Sequence, residues 1–142
     1  MNSNMWLECI NCHTKYDAKK RIYVCEKCGH LLDVNYSNLE EAVEGDWKNK
    51  PISVWKYSPF LPKLEQVVSL NEGKTNLYRC INLSNKLGIE NLWIKNEGEN
   101  PTGSFKDRGM TVGVSVAKSL GSNIVACAST GNTSASLAAY AA

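Results

Sequence analysis

Residues 100–109 read Asn-Pro-Thr-Gly-Ser-Phe-Lys-Asp-Arg-Gly, and they lie between a strand-like run at 92–95 and a helical run from about 105 to 120. Pro101 and Gly103 disfavour regular structure in the first half of this segment. The segment is therefore predicted to be a loop that leaves a strand and enters a helix. Loops in this position carry function in many α/β proteins.

The first helical turn after this loop contains an unusually placed lysine. Ser104 stands where a helix N-cap belongs, with Asp107 three residues later in a capping-box relation. Lys106 falls in the first turn, where the positive end of the helix dipole disfavours a cation. A neutral lysine amine is a nucleophile that can condense with an aldehyde, so Lys106 is the candidate catalytic residue. By position alone, Lys106 also fits an ordinary solvated surface lysine.

A second candidate loop follows a second strand-like run at 123–128. Residues 128–136 read Ala-Ser-Thr-Gly-Asn-Thr-Ser-Ala-Ser and precede an alanine-rich helical stretch. Hydroxyls and backbone amides that converge on a helix N-terminus can bind an anion, although the same residues also fit a plain N-cap turn. The order strand, helix, strand predicts a βαβ unit with parallel strands and a right-handed crossover. Both loops then fall at the carboxyl ends of the strands.

Together the two motifs resemble the Schiff-base lysine segment and the Ser/Thr-Gly-Asn loop of the fold type II pyridoxal-phosphate enzymes, the tryptophan-synthase-β type, and within them the threonine synthases. Residues 71–79, Asn-Glu-Gly-Lys-Thr-Asn-Leu-Tyr-Arg, are similar to the Glu-Gly-x-Thr-Pro-Leu segment of this family. Asn76 occupies the usual proline position. The resemblance covers residues 71–142 firmly and 1–45 loosely. It implies an α/β fold with the start of a parallel sheet.

The resemblance also implies an activity and a set of site residues. Lys106 would bind pyridoxal 5′-phosphate covalently and move protons while O-phospho-L-homoserine and water become L-threonine and phosphate, the reaction of a lyase acting on phosphates. Asn132 would hydrogen bond the cofactor's ring oxygen. The substrate carboxylate would be held by Ser129, Thr130 and Thr133. Asp107 and Arg108 would support the loop and the helix, and the full-length enzyme would be a homodimer.

Four of the six cysteines form two Cys-x2-Cys pairs separated by twelve residues: Cys9, Cys12, Cys25 and Cys28. Four thiolates complete a closed tetrahedral zinc site with no open position for catalysis, so the expected role is structural. The spacing predicts a zinc-ribbon-like N-terminal module. His13 and His30 adjoin the pairs and could each replace a thiolate, but adjacency alone does not make them ligands.

The composition and net charge limit the classes of partner and the cellular compartment that we expect for this protein. The 142 residues carry a net charge of +2, and 43% are hydrophobic. This charge is too small to indicate a nucleic-acid or membrane surface, and the start of the chain lacks the features of an export signal. We therefore expect a cytoplasmic protein with a small-molecule substrate, no nucleic-acid partner and no membrane partner.

Three regions are predicted: a four-cysteine module at 1–36, an aromatic and proline-rich arm at 37–70, and a truncated α/β enzyme domain at 71–142. The sequence ends in the alanine-rich helix, without the family's later glycine-rich phosphate loop. We expect an N-terminal fragment that is inactive alone. Two alternatives stay open. One is another fold type II replacement or elimination enzyme, such as a cysteate synthase or threonine dehydratase. The other is a zinc-ribbon binding module with a non-catalytic enzyme remnant.

Overall fold

A computed structural model of the chain describes residues 5–37, 39–44 and 46–142. It is a mixed α/β structure with two small antiparallel sheets. The strands are β1 Met5–Cys9, β2 Lys15–Asp17, β3 Leu32–Tyr36, β4 Leu77–Arg79 and β5 Trp93–Lys95. The α-helices are α1 Leu39–Glu44, α2 Ile81–Leu87, α3 Lys106–Ser119 and α4 Asn132–Ala141. Short 3₁₀ helices occupy Asp46–Asn49, Val54–Phe60 and Glu97–Glu99.

The N-terminal sheet has the order β2-β1-β3, with every pair antiparallel. Each Cys-x2-Cys pair lies on a tight turn whose next residue has a left-handed backbone, His13 at φ 55° and Gly29 at φ 75°. The amide of His13 donates to the Cys9 carbonyl (3.1 Å), and that of Gly29 donates to the Cys25 carbonyl (2.8 Å). The two turns therefore follow the same backbone path.

The arm that precedes β4 packs on α3 through hydrogen bonds. The Trp55 indole donates to the Thr111 hydroxyl (2.9 Å), which in turn donates to the Val68 carbonyl (2.6 Å). The Val68 amide donates to the Ser115 hydroxyl (2.8 Å). Trp47 supports the arm from within, with its ring 5.3 Å from that of Tyr57. Hydroxyls on the buried face of α3 thus fix the path of the arm.

The predicted parallel βαβ unit is not present among the described residues, and this prediction was wrong. β5 pairs with β4 in an antiparallel two-stranded sheet, with Leu77 opposite Lys95. The expected strand at 123–128 has no regular structure, and Ile124 is 87% exposed. A strand exists through hydrogen bonds to a neighbour, and the described strands pair only within the two antiparallel sheets. Residues 123–128 consequently have the composition of a strand without the pairing.

The interior between the arm, α3 and α4 is largely polar. Only a few apolar side chains are buried there, among them Val54, Val114 and Tyr140. The buried polar side chains in the same region are Glu72, Thr75, Asn100, Ser104, Asp107, Thr111, Ser115 and Ser136. Within the described part of the chain, no helix is both long and apolar enough to cross a bilayer. Hydrogen bonds therefore determine much of how these elements pack.

Candidate active site and metal centre

Lys106 is the first residue of α3, and its side chain is half-buried. Its Nζ lies 4.6 Å from the centroid of the Phe105 ring. Among the residues that the structure describes, no carboxylate or other acceptor hydrogen bonds this amine. An amine without an ion-pair partner can react with an aldehyde, which is the chemistry predicted for Lys106.

The loop before Lys106 is held from one side by Asn100, which is 5% exposed. Its Oδ1 accepts the backbone amide of Gly73 (2.9 Å), and its Nδ2 donates to the Glu97 carbonyl (2.9 Å). Gly73 has φ +93°, and a Cβ at this position would lie 2.8 Å from the Val54 backbone nitrogen. Asn100 thus joins the lysine loop to the 71–76 segment at a point where only glycine fits.

Arg108 provides a second connection from the same loop. Its Nε and Nη2 donate to the two carboxylate oxygens of Glu97 at 2.7 and 2.8 Å. Nη2 also donates to the Thr75 hydroxyl (3.1 Å). The Arg108 guanidinium lowers the pKa of Glu97 to about 2, so this paired geometry persists far into acid. The contacts of Arg108 are those of a supporting residue.

Asp107 is fully buried, yet it faces only neutral donors. It accepts the Thr102 backbone amide (2.7 Å), the Thr102 hydroxyl (2.5 Å) and the Ser136 hydroxyl (2.6 Å). The predicted capping box is therefore wrong, because the Asp107 carboxylate turns towards Thr102 and α4 instead of the Ser104 amide. Ser104 still acts near the helix start, where its hydroxyl accepts the Lys106 amide (3.2 Å).

α4 is anchored at a second buried carboxylate. Glu72 accepts the Tyr140 hydroxyl (2.8 Å), the Leu70 amide (2.9 Å) and the Ser69 hydroxyl (3.1 Å). Burial, the hydrogen bond to Glu72 and the negative charges of Glu72 and Asp107 raise the pKa of Tyr140 above its ordinary value. The Tyr140 hydroxyl therefore stays protonated and remains a donor.

The Ser129–Thr133 loop, meaning residues 129–133, ends in the first two residues of α4. The Gly131 amide donates to the Ser129 hydroxyl (3.3 Å). Within the described residues, no hydrogen bond engages the side chains of Thr130, Asn132 and Thr133. Asn132 lies one helical turn before Ser136, about 6 Å along the axis, so the Asp107–Ser136 bond brings this loop towards the lysine segment. An amine, an amide and hydroxyls at a helix N-terminus suit an aldehyde that carries an anionic group.

Sequence reasoning missed most of the residues that hold these two segments together. Glu72, Asn100, Thr102 and Ser136 lie inside the quoted motifs, but the motifs predict no supporting role for them, and Tyr140 lies outside the motifs. No local signal could have paired Tyr140 with Glu72, because 68 residues separate them. The sequence does place polar residues at 136 and 140 on one face of an alanine-rich helix, and this spacing is the only local sign that the face has polar partners.

The four predicted metal ligands converge at the two Cys-x2-Cys turns. The Sγ atoms of Cys9, Cys12, Cys25 and Cys28 all lie within 4.8 Å of one another. Cys9 and Cys28 are 3.4 Å apart and Cys12 and Cys25 are 3.5 Å apart, close to the roughly 3.8 Å expected between thiolates around tetrahedral zinc. All four are free of disulfides. The cluster can hold a metal ion.

One neighbouring hydroxyl favours a thiolate in the cluster, and neither of the two adjoining histidines belongs to the group of four sulfurs. The Tyr16 hydroxyl lies 3.1 Å from the Cys25 Sγ, and this hydrogen bond lowers the pKa of the Cys25 thiol to about 6. His13 Nδ1 faces the Glu8 carboxylate (3.3 Å), and His30 Nδ1 faces the Cys28 carbonyl (3.1 Å). The candidate metal centre is therefore a four-cysteine cluster.

The chain is similar in sequence to several curated threonine synthases. The chain is 54% identical over 143 residues to a threonine synthase of Methanocaldococcus jannaschii. This match covers 97% of the chain and 35% of the relative. It is 54% identical over 138 residues to a threonine synthase of Methanosarcina acetivorans, covering 96% and 34% respectively. A threonine synthase of Mycobacterium tuberculosis is 59% identical over 75 residues, 53% of this chain. The chain thus spans about a third of the length of the archaeal relatives it matches.

The family comparison matches residues 68–142, which include Lys106, both connections to the 71–76 segment and the Ser129–Thr133 loop. The archaeal similarity extends further and takes in the cysteine module, since it covers 97% of the chain. Because the family match covers more than half of its residues, the chain belongs to the pyridoxal-phosphate dependent enzymes.

Proposed function

We propose that this chain forms the lysine-bearing part of an enzyme that converts O-phospho-L-homoserine and water to L-threonine and phosphate. One observation carries the proposal: the Lys106 amine has no acceptor among the described residues, while the residues around it are fixed by buried hydrogen bonds. The 54% identity to two archaeal threonine synthases over nearly the whole chain supports the choice of substrate.

Each predicted residue has a definable task in this reaction. Pyridoxal phosphate supplies, when bound, an electron sink for the negative charge that develops on the substrate. Lys106 would hold the cofactor through its ε-nitrogen and then move protons on the substrate as a general acid and base. The Asn132 amide would donate to the cofactor's ring oxygen. The hydroxyls of Ser129, Thr130 and Thr133 would hold the substrate carboxylate.

Covalent trapping tests the role of Lys106. The chain is incubated with pyridoxal phosphate, reduced with borohydride and digested, and the labelled peptide is identified by mass spectrometry. We expect the label on Lys106 and its loss in Lys106→Ala, whereas Lys118→Ala at the other end of α3 keeps it. Labelling spread evenly over many surface lysines would contradict the assignment.

Substrate assays test the reaction itself. The protein isolated from its own cells is supplied with O-phosphohomoserine, and phosphate and threonine are measured together. Equal amounts of the two products would support the proposal. Phosphate release without threonine, or ammonia release from threonine, would favour the other replacement and elimination enzymes. A homodimeric assembly and a cytoplasmic location stay predictions.

We also propose that the four-cysteine cluster binds zinc in a structural role within a zinc-ribbon-like module. Four thiolates at near-tetrahedral separations leave no open position for substrate or water. Cys9 and Cys25 are the only buried apolar residues of the described module, so it has little core of its own. A metal ion would supply the missing stabilisation.

A further inference from the structure

Asp107 is an unusual residue for the place it occupies. It is the second residue of α3, next to Lys106, and its side chain is fully buried. No cation contacts it within the described ranges. A buried carboxylate without a counter-ion is costly unless hydrogen bonds satisfy it, and Asp107 accepts three of them. Such an arrangement is sensitive to the position of each donor.

The three donors belong to two different parts of the site. Two come from Thr102, in the loop that leads to Lys106, at 2.7 Å from its amide and 2.5 Å from its hydroxyl. The third comes from Ser136 on α4, at 2.6 Å. One carboxylate therefore holds both the lysine loop and α4, whose first turn contains the end of the Ser129–Thr133 loop.

α4 has few other features that could fix its position. Its buried side chains are Ser136 and Tyr140, four residues apart on one face, and both donate to buried carboxylates. Alanines make up much of the rest of this helix. Small apolar side chains allow a helix to slide or rotate, whereas two directed hydrogen bonds define one register. The bond from Ser136 is the one nearer to the active-site end of α4.

We propose that Asp107 is a positioning residue that sets the register of α4 against the lysine segment and so places the Ser129–Thr133 loop opposite Lys106. The proposal rests on the proposed function in treating these two segments as two sides of one active site. Asp107 acts through placement and not by proton transfer. Successive helix residues point about 100° apart, and its carboxylate is directed away from solvent while the Lys106 amine is half-exposed.

A matched pair of variants on α4 separates positioning from stability. Ser136→Ala removes only the bond to Asp107, and Tyr140→Phe removes only the bond to Glu72. Each loses one buried hydroxyl donor on the same helix face. Amide hydrogen exchange of the 142-residue chain, without cofactor, is then compared for peptides covering 102–106, 129–133 and 69–72.

Ser136→Ala should speed exchange at least tenfold in both 102–106 and 129–133, although these segments are far apart in sequence. Tyr140→Phe should speed exchange at 69–72 and leave 102–106 unchanged. The proposal is overturned if Ser136→Ala leaves 102–106 as protected as in the parent chain, or if the two variants loosen the same segments equally.

A second pair tests the loop side and adds a cofactor readout. Thr102→Val keeps the shape of the side chain and removes its hydroxyl, whereas Thr102→Ser retains the hydroxyl. We expect Thr102→Val and Ser136→Ala to weaken pyridoxal phosphate binding at least fivefold, with Thr102→Ser close to the parent chain. Equal affinity for all three variants would overturn the proposal. If the parent chain is not labelled at Lys106 while the exchange pattern holds, the proposed function fails and the positioning role of Asp107 stands.

Discussion

The backbone amide of Asn76 donates to the Glu99 carboxylate across 2.6 Å. Asn76 occupies the position where the related motif has proline, which has no N–H to donate. The same carboxylate accepts the Tyr78 hydroxyl (2.5 Å) and the side-chain amide of Asn96 (3.2 Å). The hydrogen bond from Tyr78 lowers the pKa of Glu99, so the acceptor is ionised near neutral pH. This departure from the motif therefore has a structural use in this chain.

Replacing Asn76 by proline should lower the stability of the chain, because the Glu99 carboxylate would lose the hydrogen bond from this backbone amide. Denaturant unfolding measures the change. Asn76→Ala is the control, since it keeps the backbone N–H and loses only side-chain contacts, among them the one to Tyr78 (3.4 Å). Equal stability of the proline and alanine variants would show that the amide contributes nothing.

Gly73→Ala should be among the most destabilising single-methyl additions in the chain. The left-handed backbone at φ +93° costs an alanine about 1–2 kcal/mol, and its Cβ would meet the Val54 backbone nitrogen at 2.8 Å. The hydrogen bond from the Gly73 amide to Asn100 would shift as well. We expect a fall in melting temperature together with faster proteolysis of the lysine loop.

Gly113→Ala is the matched control for this substitution. Gly113 lies within α3, and nothing approaches its Cβ position within 4 Å. Alanine there should stabilise the helix by roughly 0.5–1 kcal/mol. Gly73→Ala should lower the free energy of unfolding, and Gly113→Ala should raise it. A neutral or stabilising Gly73→Ala would show that the 71–76 segment is not held as the structure describes.

The sequence predicted the local elements of the site well. The helix expected from about 105 to 120 is Lys106–Ser119, and the metal ligands expected from two Cys-x2-Cys pairs do converge. Both predictions depend on short-range rules: helix periodicity and turn geometry hold whatever the rest of the chain does. The position of Lys106 in the first helical turn followed from the same rules.

The predicted parallel sheet failed for a non-local reason. Residues 123–128 have an apolar run typical of a buried strand, but strand formation depends on a hydrogen-bonded neighbour, which composition does not reveal. The partners of Asp107 were missed for a similar reason. An aspartate in the first helical turn predicts a local cap, and only the packing of α4 shows that Ser136 competes for it.

The Arg108–Glu97 pair should make the free energy of unfolding depend on pH over a defined acidic range. The folded-state pKa of Glu97 is about 2, below its ordinary value of 4.5, because Arg108 donates to both carboxylate oxygens. A lowered folded-state pKa contributes stability that is complete above about pH 4.5 and is lost as the pH falls towards 2. Glu97→Gln should therefore cost roughly 2 kcal/mol at neutral pH.

The difference between Glu97→Gln and the parent chain should shrink steadily between pH 4.5 and 2, when the free energy of unfolding is measured by urea titration at each pH. Glu90→Gln is the control, because Glu90 is exposed and lies away from the pair. A destabilisation by Glu97→Gln that stays constant over this range would mean that the ionised carboxylate is not the stabilising form.

Removing metal should unfold the N-terminal sheet before the rest of the chain. The described module buries only Cys9 and Cys25 among its apolar residues, so a metal ion bound by the four thiolates would supply the stabilisation that a core would otherwise give. Elemental analysis should find one zinc per chain, and a strong chelator should lower the melting temperature and expose β1 to proteases. Cys25→Ser should lose the zinc, whereas Cys80→Ser, outside the cluster, should retain it. Equal zinc content in the two serine variants would exclude the four-cysteine site.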